Sequence, residues 1–351
     1  MNKILVTGGC GYIGSHTIVD LIENGFNPIC VDNNSRSTEA LLSGIKEITG
    51  VKVKNYKVDL TNFDETFAVF QENTDIKGII HFAAYKAVGE SVEQPLMYFE
   101  NNLFSLINIL KCAVEFNVPN FIFSSSCTVY GNPDKIPVTE ATATKPAESP
   151  YGATKQMGED IVREITKTGG MRSILLRYFN PVGAHATALI GELPLGEPQN
   201  LVPAITQTAI GKIQELTVFG DDYPTRDGSC IRDYIHVCDI AHAHTLALQY
   251  LISKKNQEKC EVFNLGTGDG VSTLEAIEAF EKISGKKLNY KIGPRRPGDV
   301  MAIYADNLLA KEKLNWIPQY SLNEMMATAW NWELKLQKDA SLHSNSNFQM
   351  N

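Results

Sequence analysis

Residues 3–16 of the chain read Lys-Ile-Leu-Val-Thr-Gly-Gly-Cys-Gly-Tyr-Ile-Gly-Ser-His, and this stretch decides the fold. The apolar run before the glycines predicts a buried strand. Gly8, Gly11 and Gly14 follow it where a helix would begin. Glycine permits a tight turn and a close approach of the backbone to a pyrophosphate, while a helix N-terminus presents N–H groups to an anion. The stretch therefore predicts a dinucleotide-binding loop.

Asp32 is a second sign of a dinucleotide site. It ends the second predicted strand, eighteen residues after Gly14, and an acid that binds a ribose is expected about twenty residues on. A carboxylate there accepts hydrogen bonds from a 2′-hydroxyl and repels a 2′-phosphate, so the sequence favours NAD over NADP. Arg36 could meet a 2′-phosphate instead, and Asp32 could simply start a turn with Asn33 and Asn34.

The first 130 residues alternate short β-rich runs with helical patterns. The predicted strands are 4–7, 28–32, 52–59, 78–82 and 120–125, and the predicted helices are 15–24, 63–73 and 97–116. Strands that alternate with helices indicate an α/β fold in which helices cover both faces of a parallel sheet. We therefore predict a Rossmann-type doubly wound sheet.

The pattern changes after about residue 180. We predict an NAD-binding Rossmann domain over 1–180 and a smaller mixed α/β lobe over 181–337, with a soft boundary and some chain crossing back. In the lobe, 201–211 and 238–251 read as helices, and 215–219 and 261–265 as strands. The polar tail 338–351 is expected to be disordered.

Charge and cysteine usage narrow the class of protein. The 351 residues carry a net charge of −8, which offers no positive field for nucleic acid or an anionic membrane. The seven cysteines are odd in number and lack metal-ligand spacing, which is typical of reduced thiols in the cytoplasm. We expect no metal, no membrane span, and no signal peptide, because Met1 leads almost directly into the first strand.

Ser126, Tyr151 and Lys155 form the candidate catalytic group. Tyr151 and Lys155 share one face of a predicted helix, where an ammonium is expected to lower the pKa of the phenol from about 10. Ser126 ends a strand and could hydrogen-bond both the phenol and a substrate hydroxyl. The same tyrosine–lysine spacing recurs at Tyr250 and Lys254 without a serine-ended strand, and there we interpret it as a solvated helix end.

Together these residues resemble the extended short-chain dehydrogenase/reductases, and within them the enzymes that epimerise UDP-sugars at C4. The resemblance covers about residues 1–335. It rests on the stretches VTGGCGYIGSH (6–16), KAVGES (86–91), SSSCTVYG (124–131), YGATK (151–155), LRYFNPVGAH (176–185), RDYIHV (232–237) and RRPGD (295–299).

The resemblance implies tightly held NAD that is reduced and reoxidised within one turnover through a 4-keto sugar. By matching positions, the expected NAD contacts are Gly8, Gly11, Tyr12, Ile13, Gly14, Asp32, Asn33, Asn34, Ser35, Arg36, Ser37, Asp59, Leu60, Phe82, Ala83, Ala84, Tyr85, Lys86, Asn101, Ser126, Tyr151, Lys155 and Phe179. The expected UDP-sugar contacts are Ser126, Tyr151, Asn180, Asn200, Leu201, Phe219, Arg232, Arg295, Asp299 and Ile303. The resemblance also implies a homodimer, with helices over 99–116 and 156–166 at its seam.

Two positions depart from the family pattern. Ile303 stands where bacterial glucose/galactose enzymes of the family usually carry tyrosine, beside the sugar 2-substituent. Isoleucine is shorter but branched and stiff, so we expect UDP-glucose and UDP-galactose as the main pair, with some tolerance for their N-acetylated counterparts. Cys127 replaces a commoner alanine, and we expect no loss of function from it.

Two alternatives remain open at this point. Nucleotide-sugar dehydratases and decarboxylases resemble the chain but carry an acid after the serine strand, where this chain has Thr128, Val129 and Tyr130. A non-catalytic NAD-binding regulator would usually lack the tyrosine or the lysine, and both Tyr151 and Lys155 are intact.

Overall fold

The computed structural model describes residues 1–194, 196–296 and 300–339. The expected disordered tail therefore falls almost entirely outside the described residues, as does Asp299. Within the described ranges, no helix is long and apolar enough to cross a bilayer. All seven cysteines are described and carry free thiols.

The chain forms fourteen strands among its described residues. They are β1 (Lys3–Thr7), β2 (Asn27–Val31), β3 (Asn55–Tyr56), β4 (Ile76–His81), β5 (Asn120–Ser126), β6 (Arg172–Tyr178), β7 (Asn180–Val182), β8 (Leu216–Phe219), β9 (Ile231–Arg232), β10 (Tyr234–His236), β11 (Cys260–Leu265), β12 (Val271–Ser272), β13 (Tyr290–Gly293) and β14 (Ala302–Ile303).

Eleven α-helices are found in the same ranges, together with a 3₁₀ turn at Cys127–Tyr130. They are α1 (Tyr12–Glu23), α2 (Ala40–Thr49), α3 (Phe63–Glu72), α4 (Val88–Glu93), α5 (Pro95–Glu115), α6 (Pro150–Thr168), α7 (Leu201–Ala209), α8 (Val237–Ile252), α9 (Thr273–Ser284), α10 (Leu308–Leu314) and α11 (Leu322–Lys338).

A seven-stranded parallel sheet organises the molecule, in the order β11-β6-β5-β4-β1-β2-β3. Alternate residues of each strand face opposite sides. Ile4 and Val6 pack with one apolar cluster beside α1 and α8, whereas Leu5 packs with the other beside α3, α5 and α6. The predicted Rossmann-type α/β fold is confirmed.

The ends of the elements differ from the sequence prediction in two places. The strand predicted over 52–59 is reduced to β3, which pairs only with β2 at the edge of the sheet. Charged Lys52, Lys54 and Lys57 suit an exposed edge better than a buried strand. The first helix begins at Tyr12 and not at 15, because Gly11 already acts as its N-cap.

The second half of the chain contributes to both parts of the molecule. α8 and β11 pack onto the first sheet, where β11 pairs in parallel with β6. The other elements build small sheets (β7 with β10, β8 with β13, and β12-β9-β14) around a separate apolar cluster that includes Ile205, Phe280 and Trp330. The carboxyl ends of β5 and β6 face this lobe, since β7 follows β6 directly.

Candidate active site

The glycine loop lies between the ends of β1 and β4. Gly8 adopts φ +66°, and its N–H donates to the Val31 carbonyl at 2.9 Å. A side chain there would approach the backbone nitrogen of Ala83 to 2.9 Å, and one at Gly14 would approach the Gly8 carbonyl oxygen to 2.3 Å. Only glycine fits both positions. The loop thus brings the N-terminus of α1 to the edge where a pyrophosphate would bind.

Asp32 closes the loop from the side of β2. Its carboxylate accepts hydrogen bonds from the Cys10 N–H at 3.0 Å, the Asn34 N–H at 2.9 Å and the Ser37 hydroxyl at 2.7 Å. Asp32 therefore shapes its own turn, as the alternative interpretation required, while lying against the glycine loop. The carboxylate stabilises this turn, and its contact with a ribose stays a prediction.

Arg36 does not stand free for a 2′-phosphate. Its guanidinium donates to Glu90 at 2.8 Å and lies 4.7 Å from the centre of the Tyr85 ring. Beside it, the Asn33 side chain accepts from the Ser35 N–H at 2.9 Å. The loop after β2 is thus held by its own side chains and by Glu90.

The loop after β3 is stabilised by hydrogen bonds within the loop and by a side chain of α5. The Asp59 carboxylate accepts from the Thr61 N–H and hydroxyl at 2.9 and 2.8 Å. The amide of Asn108 on α5 donates to the Leu60 carbonyl at 3.0 Å. Asp59 and Leu60 are consequently fixed near the same sheet edge as the glycine loop.

The segment after β4 completes this edge. The N–H groups of Phe82 and Ala83 donate to the carbonyl and hydroxyl of Thr7, each at 3.2 Å. The Asn102 side chain holds Tyr85, accepting from its N–H at 2.8 Å and donating to its carbonyl at 3.0 Å. Ala84, which lies between Ala83 and Tyr85 in the chain, is half-buried.

Three further predicted cofactor residues face the second half of the chain. The Tyr12 hydroxyl donates to the Gly183 carbonyl at 2.5 Å, and Lys86 pairs with Glu192 at 3.0 Å. Phe179 is buried directly after β6. Asn101 donates to Asn102 at 2.9 Å, and Ile13 packs at the edge of the core. The contacts of Tyr12 and Lys86 join the glycine loop and the segment after β4 to residues beyond 180.

The three candidate catalytic residues meet at the carboxyl end of β5. Ser126 is the last residue of β5, and Tyr151 and Lys155 occupy successive turns of α6. Ser149 caps this helix by accepting from the Gly152 N–H at 3.2 Å, and Pro150 follows at N1. Ser126 lies close enough to the Tyr151 phenol to act on its pKa. All three catalytic side chains are buried.

The prediction that Lys155 lowers the pKa of Tyr151 is wrong for the protein without its cofactor. Burial raises the pKa of Tyr151 well above its usual value, nearby Tyr178 and Cys127 add to the rise, and the neighbouring Ser126 hydroxyl opposes it. The Lys155 ammonium donates to the Ser124 carbonyl at 2.7 Å and lies 5.9 Å from the centre of the Tyr151 ring. Burial lowers the pKa of Lys155 to about 8. Desolvation is therefore the dominant cause of the pKa shift at both Tyr151 and Lys155.

Sequence reasoning missed the residues that support this group. Glu159 lies one turn beyond Lys155 and accepts hydrogen bonds from Ser125 and Arg177, all three buried. The Ser124 and Tyr178 hydroxyls share a hydrogen bond of 2.6 Å behind Lys155. The sequence shows only that Glu159 shares a helix face with Tyr151 and Lys155, and its burial follows from packing between distant segments.

The substrate lobe brings two predicted residues close to Ser126. Ile303 on β14 is buried in a cluster with Val129 and Phe179, and Cys127 packs against that cluster. Arg232 on β9 is the register partner of Ile303, and its charge acts on the pKa of Cys127. These residues form one wall at the end of β5.

Asn180 lies on β7, and its side-chain amide donates to the Asp233 carbonyl at 3.1 Å. It is thereby fixed where the first sheet meets the lobe, directly after Phe179.

The other predicted substrate residues lie further along the lobe. Asn200 precedes α7 and donates to Glu192 at 2.9 Å, and Leu201 is the first residue of α7. Phe219 is exposed at the end of β8. Arg295 pairs with Asp222 at 2.7 Å, so this guanidinium already has a carboxylate partner.

The described site residues fit a dinucleotide, because the glycine cradle excludes side chains and Asp32 stands at the end of β2. They also place a serine, a tyrosine and a lysine together at the end of β5. This arrangement can remove a proton from a hydroxyl beside a hydride acceptor.

Comparisons with known proteins agree with this geometry. Residues 5–329 match the family model described as GDP-mannose 4,6 dehydratase. The chain is 48% identical over 335 residues to UDP-glucose 4-epimerase of Pisum sativum, covering 94% of this chain and 95% of that one.

Two solved structures are similar over nearly their whole length. The UDP-glucose-4-epimerase of Stenotrophomonas maltophila, with bound NAD and formylated UDP-arabinopyranose, has a TM-score of 0.93 at 43% identity and covers 96% of this chain and 99% of that one. The Bifidobacterium longum enzyme, in complex with NAD+ and UDP, has a TM-score of 0.91 at 44% identity, with coverages of 95% and 98%. The chain therefore belongs to the UDP-glucose 4-epimerase family of extended short-chain dehydrogenase/reductases.

Proposed function

We propose that this protein is a UDP-glucose 4-epimerase, an isomerase that interconverts UDP-galactose and UDP-glucose with NAD as its cofactor. The observation that carries the proposal is the placement of Ser126, Tyr151 and Lys155 at the end of β5, on the same sheet edge as the glycine loop that follows β1. Relatives with NAD and a UDP ligand bound share this fold over nearly the whole chain.

NAD binds along the carboxyl edge of β1, β2, β3 and β4. The backbone of Gly8–Gly14 receives the pyrophosphate, Asp32 accepts from a ribose hydroxyl, and the segments after β3 and β4 flank the adenine and nicotinamide halves. NAD held by these residues would supply the hydride acceptor for the sugar C4.

Tyr151 removes the proton from the sugar 4-hydroxyl. Ser126 donates to or accepts from both oxygens, which aligns that transfer, and Lys155 binds the nicotinamide ribose while its charge favours the phenolate. Because the site is buried, each charge that binds beside the phenol changes its pKa strongly.

The 4-keto sugar turns about its phosphate link and receives hydride on its other face. Arg232 and Arg295 bind the diphosphate during this turn, since guanidinium groups match phosphate oxygens. Asn180, Asn200, Leu201, Phe219 and Asp299 bind the remainder of the UDP-sugar.

The structure favours epimerisation over elimination or decarboxylation. A dehydratase needs an acid beyond the serine strand, and Cys127–Tyr130 form a 3₁₀ turn without a carboxylate in their sequence. A non-catalytic regulator has no need for the buried tyrosine and lysine at a hydride-transfer position.

The first prediction concerns the catalytic tyrosine. Purified protein is expected to convert UDP-galactose to UDP-glucose without added NAD, and Tyr151→Phe is expected to lower kcat about a hundredfold or more because it removes the proton acceptor. Product is measured by chromatography of the nucleotide sugars.

Tyr250→Phe is the matched control, since Tyr250 begins the second tyrosine–lysine pair at the end of α8. It should retain the rate of the unaltered protein. Unchanged epimerisation by Tyr151→Phe would exclude the proposed role of this phenol.

The second prediction concerns the sugar 2-substituent. We propose that Ile303, buried against the Cys127–Tyr130 wall, leaves room for an N-acetyl group that a tyrosine would fill. Turnover of UDP-GlcNAc is expected at a lower rate than turnover of UDP-glucose, and Ile303→Tyr should abolish the former and retain the latter. Absence of any UDP-GlcNAc turnover by the unaltered protein would contradict this tolerance.

The third prediction concerns assembly. We propose a homodimer through α5 and α6, which pack together and expose Leu96, Phe104 and Met157. Their side chains are 80%, 50% and 45% exposed, which is costly for apolar groups along one helix pair. Light scattering should give a dimer mass, and Phe104→Glu should give a monomer.

Ile283→Glu is the control, because Ile283 is an exposed apolar residue on α9, outside this helix pair. A monomer mass for the unaltered protein would overturn the proposed dimer.

We further propose that 1–180 and 181–337 act as cofactor and substrate domains, joined by the return of α8 and β11 to the first sheet. The cytoplasm is the proposed compartment, which the seven free thiols support.

A further inference from the structure

Three consecutive serines at the end of β5 each hold one turn of α6. Ser126 neighbours Tyr151 and acts on its pKa, the Ser124 carbonyl accepts from Lys155, and the Ser125 hydroxyl donates to Glu159 at 2.6 Å. The three helix residues are four apart and all are buried. Tyr151 and Lys155 belong to the candidate catalytic group, whereas Glu159 lies one turn beyond them.

The carboxylate of Glu159 joins α6 to two strands at once. In addition to Ser125 on β5, Arg177 on β6 donates through Nε at 2.8 Å and Nη2 at 2.6 Å. Ser125 and Arg177 are register partners in the sheet. The side chains of the ion pair are each only 4% exposed, so water screens this contact weakly.

Arg177 is itself held on its other side. Its guanidinium carbon lies 4.9 Å from the centre of the Tyr130 ring, and the Tyr130 hydroxyl donates to Asn264 on β11 at 2.6 Å. The position of Glu159 is thus tied to β5, β6 and β11, which are neighbouring strands of the sheet.

We propose that Glu159 is a positioning residue for epimerisation: it fixes the height of α6 along β5 and so sets where Tyr151 and Lys155 stand relative to Ser126. The inference rests on the proposed function. A buried ion pair is often replaceable by apolar side chains without loss of stability. Proton transfer, in contrast, needs heavy atoms within hydrogen-bond distance, and small displacements cost much of the rate.

Glu159 also balances the charge around Lys155. Burial lowers the pKa of Lys155 to about 8, and the Glu159 carboxylate opposes this decrease. The polar and aromatic groups that face Lys155 are Tyr151 and Glu159 on α6, the Ser124 carbonyl and Phe123 ring on β5, Tyr178 on β6 and His81 on β4. Removing the Glu159 charge would leave Arg177 and Arg163 without this carboxylate partner and lower the pKa of Lys155 further.

The test is Glu159→Gln in the protein with its bound cofactor. We expect kcat to fall about tenfold while KM for UDP-galactose stays within about twofold, because Glu159 is not placed against the substrate. The alkaline limb of the kcat–pH profile should move about one pH unit lower, since Lys155 loses its proton earlier. Initial rates are measured through the neutral and alkaline range.

A second variant separates positioning from a merely structural role. Arg163 also pairs with Glu159, at 3.3 Å, but its side chain is 33% exposed and can be hydrated without this partner. Glu159→Leu combined with Arg177→Met therefore removes both buried charges and should recover the melting temperature lost by Glu159→Gln. Its kcat should stay low and its alkaline limb should stay at lower pH than in the unaltered protein. Recovery of kcat together with the melting temperature would overturn the proposal.

Two further variants complete the design. Glu72→Gln, at an exposed glutamate of α3 paired with Lys54 next to the edge strand β3, should leave kcat unchanged. Ser125→Ala removes one hydrogen bond without leaving a charge unpaired, and a kcat decrease of about two- to fivefold is expected. Activity of the unaltered protein tests the proposed function separately. An active enzyme whose Glu159→Gln variant keeps its kcat and its pH profile would exclude the inference alone.

Discussion

The contact of the buried Lys155 ammonium with the Ser124 carbonyl is the constraint on which the rest of the structure depends. A cation in this environment must have a fixed partner, because desolvation otherwise neutralises it. The Ser124 carbonyl belongs to β5, so the contact fixes α6 against β5 near the residues of the candidate catalytic group. Ser126 and Tyr151 are then brought together, and the glycine loop lies two strands away, beyond β4. Burial therefore accompanies the fixed geometry of the site, and it raises the pKa of Tyr151 while it lowers the pKa of Lys155.

The spacing of residues along the sequence predicted those parts of the site that a single turn or a single helix forms. The glycine loop, Asp32 at the end of β2 and the face shared by Tyr151 and Lys155 each follow from a turn or a single helix. Resemblance to the family added the lobe residues, and the structure places Ile303 and Arg232 on one wall beside Ser126. The position of Ile303 in β14 depends on a pairing with β9 that is distant in sequence, which spacing alone does not reveal.

Other features could not be predicted from the sequence, because they depend on packing between distant segments. The pKa of Tyr151 is raised because the phenol is enclosed, and a nearby lysine in the sequence gives no measure of that enclosure. Arg177 and Glu159 look like an ordinary strand residue and an ordinary helix residue until β6 and α6 come together. Similarly, β11 joins the first sheet only after the chain has left that sheet to form β7, α7, β8, β9 and β10.

The most direct test follows the hydrogen on C4. UDP-galactose with deuterium at C4 is mixed with UDP-galactose that carries ¹³C in its sugar ring, and both are converted by the protein with its bound NAD. The UDP-glucose product is then examined by mass spectrometry. Deuterium should remain at C4 of the molecules that brought it, with no product that carries both labels. Products with both labels, or loss of deuterium to water, would contradict a hydride that leaves and returns within one bound sugar.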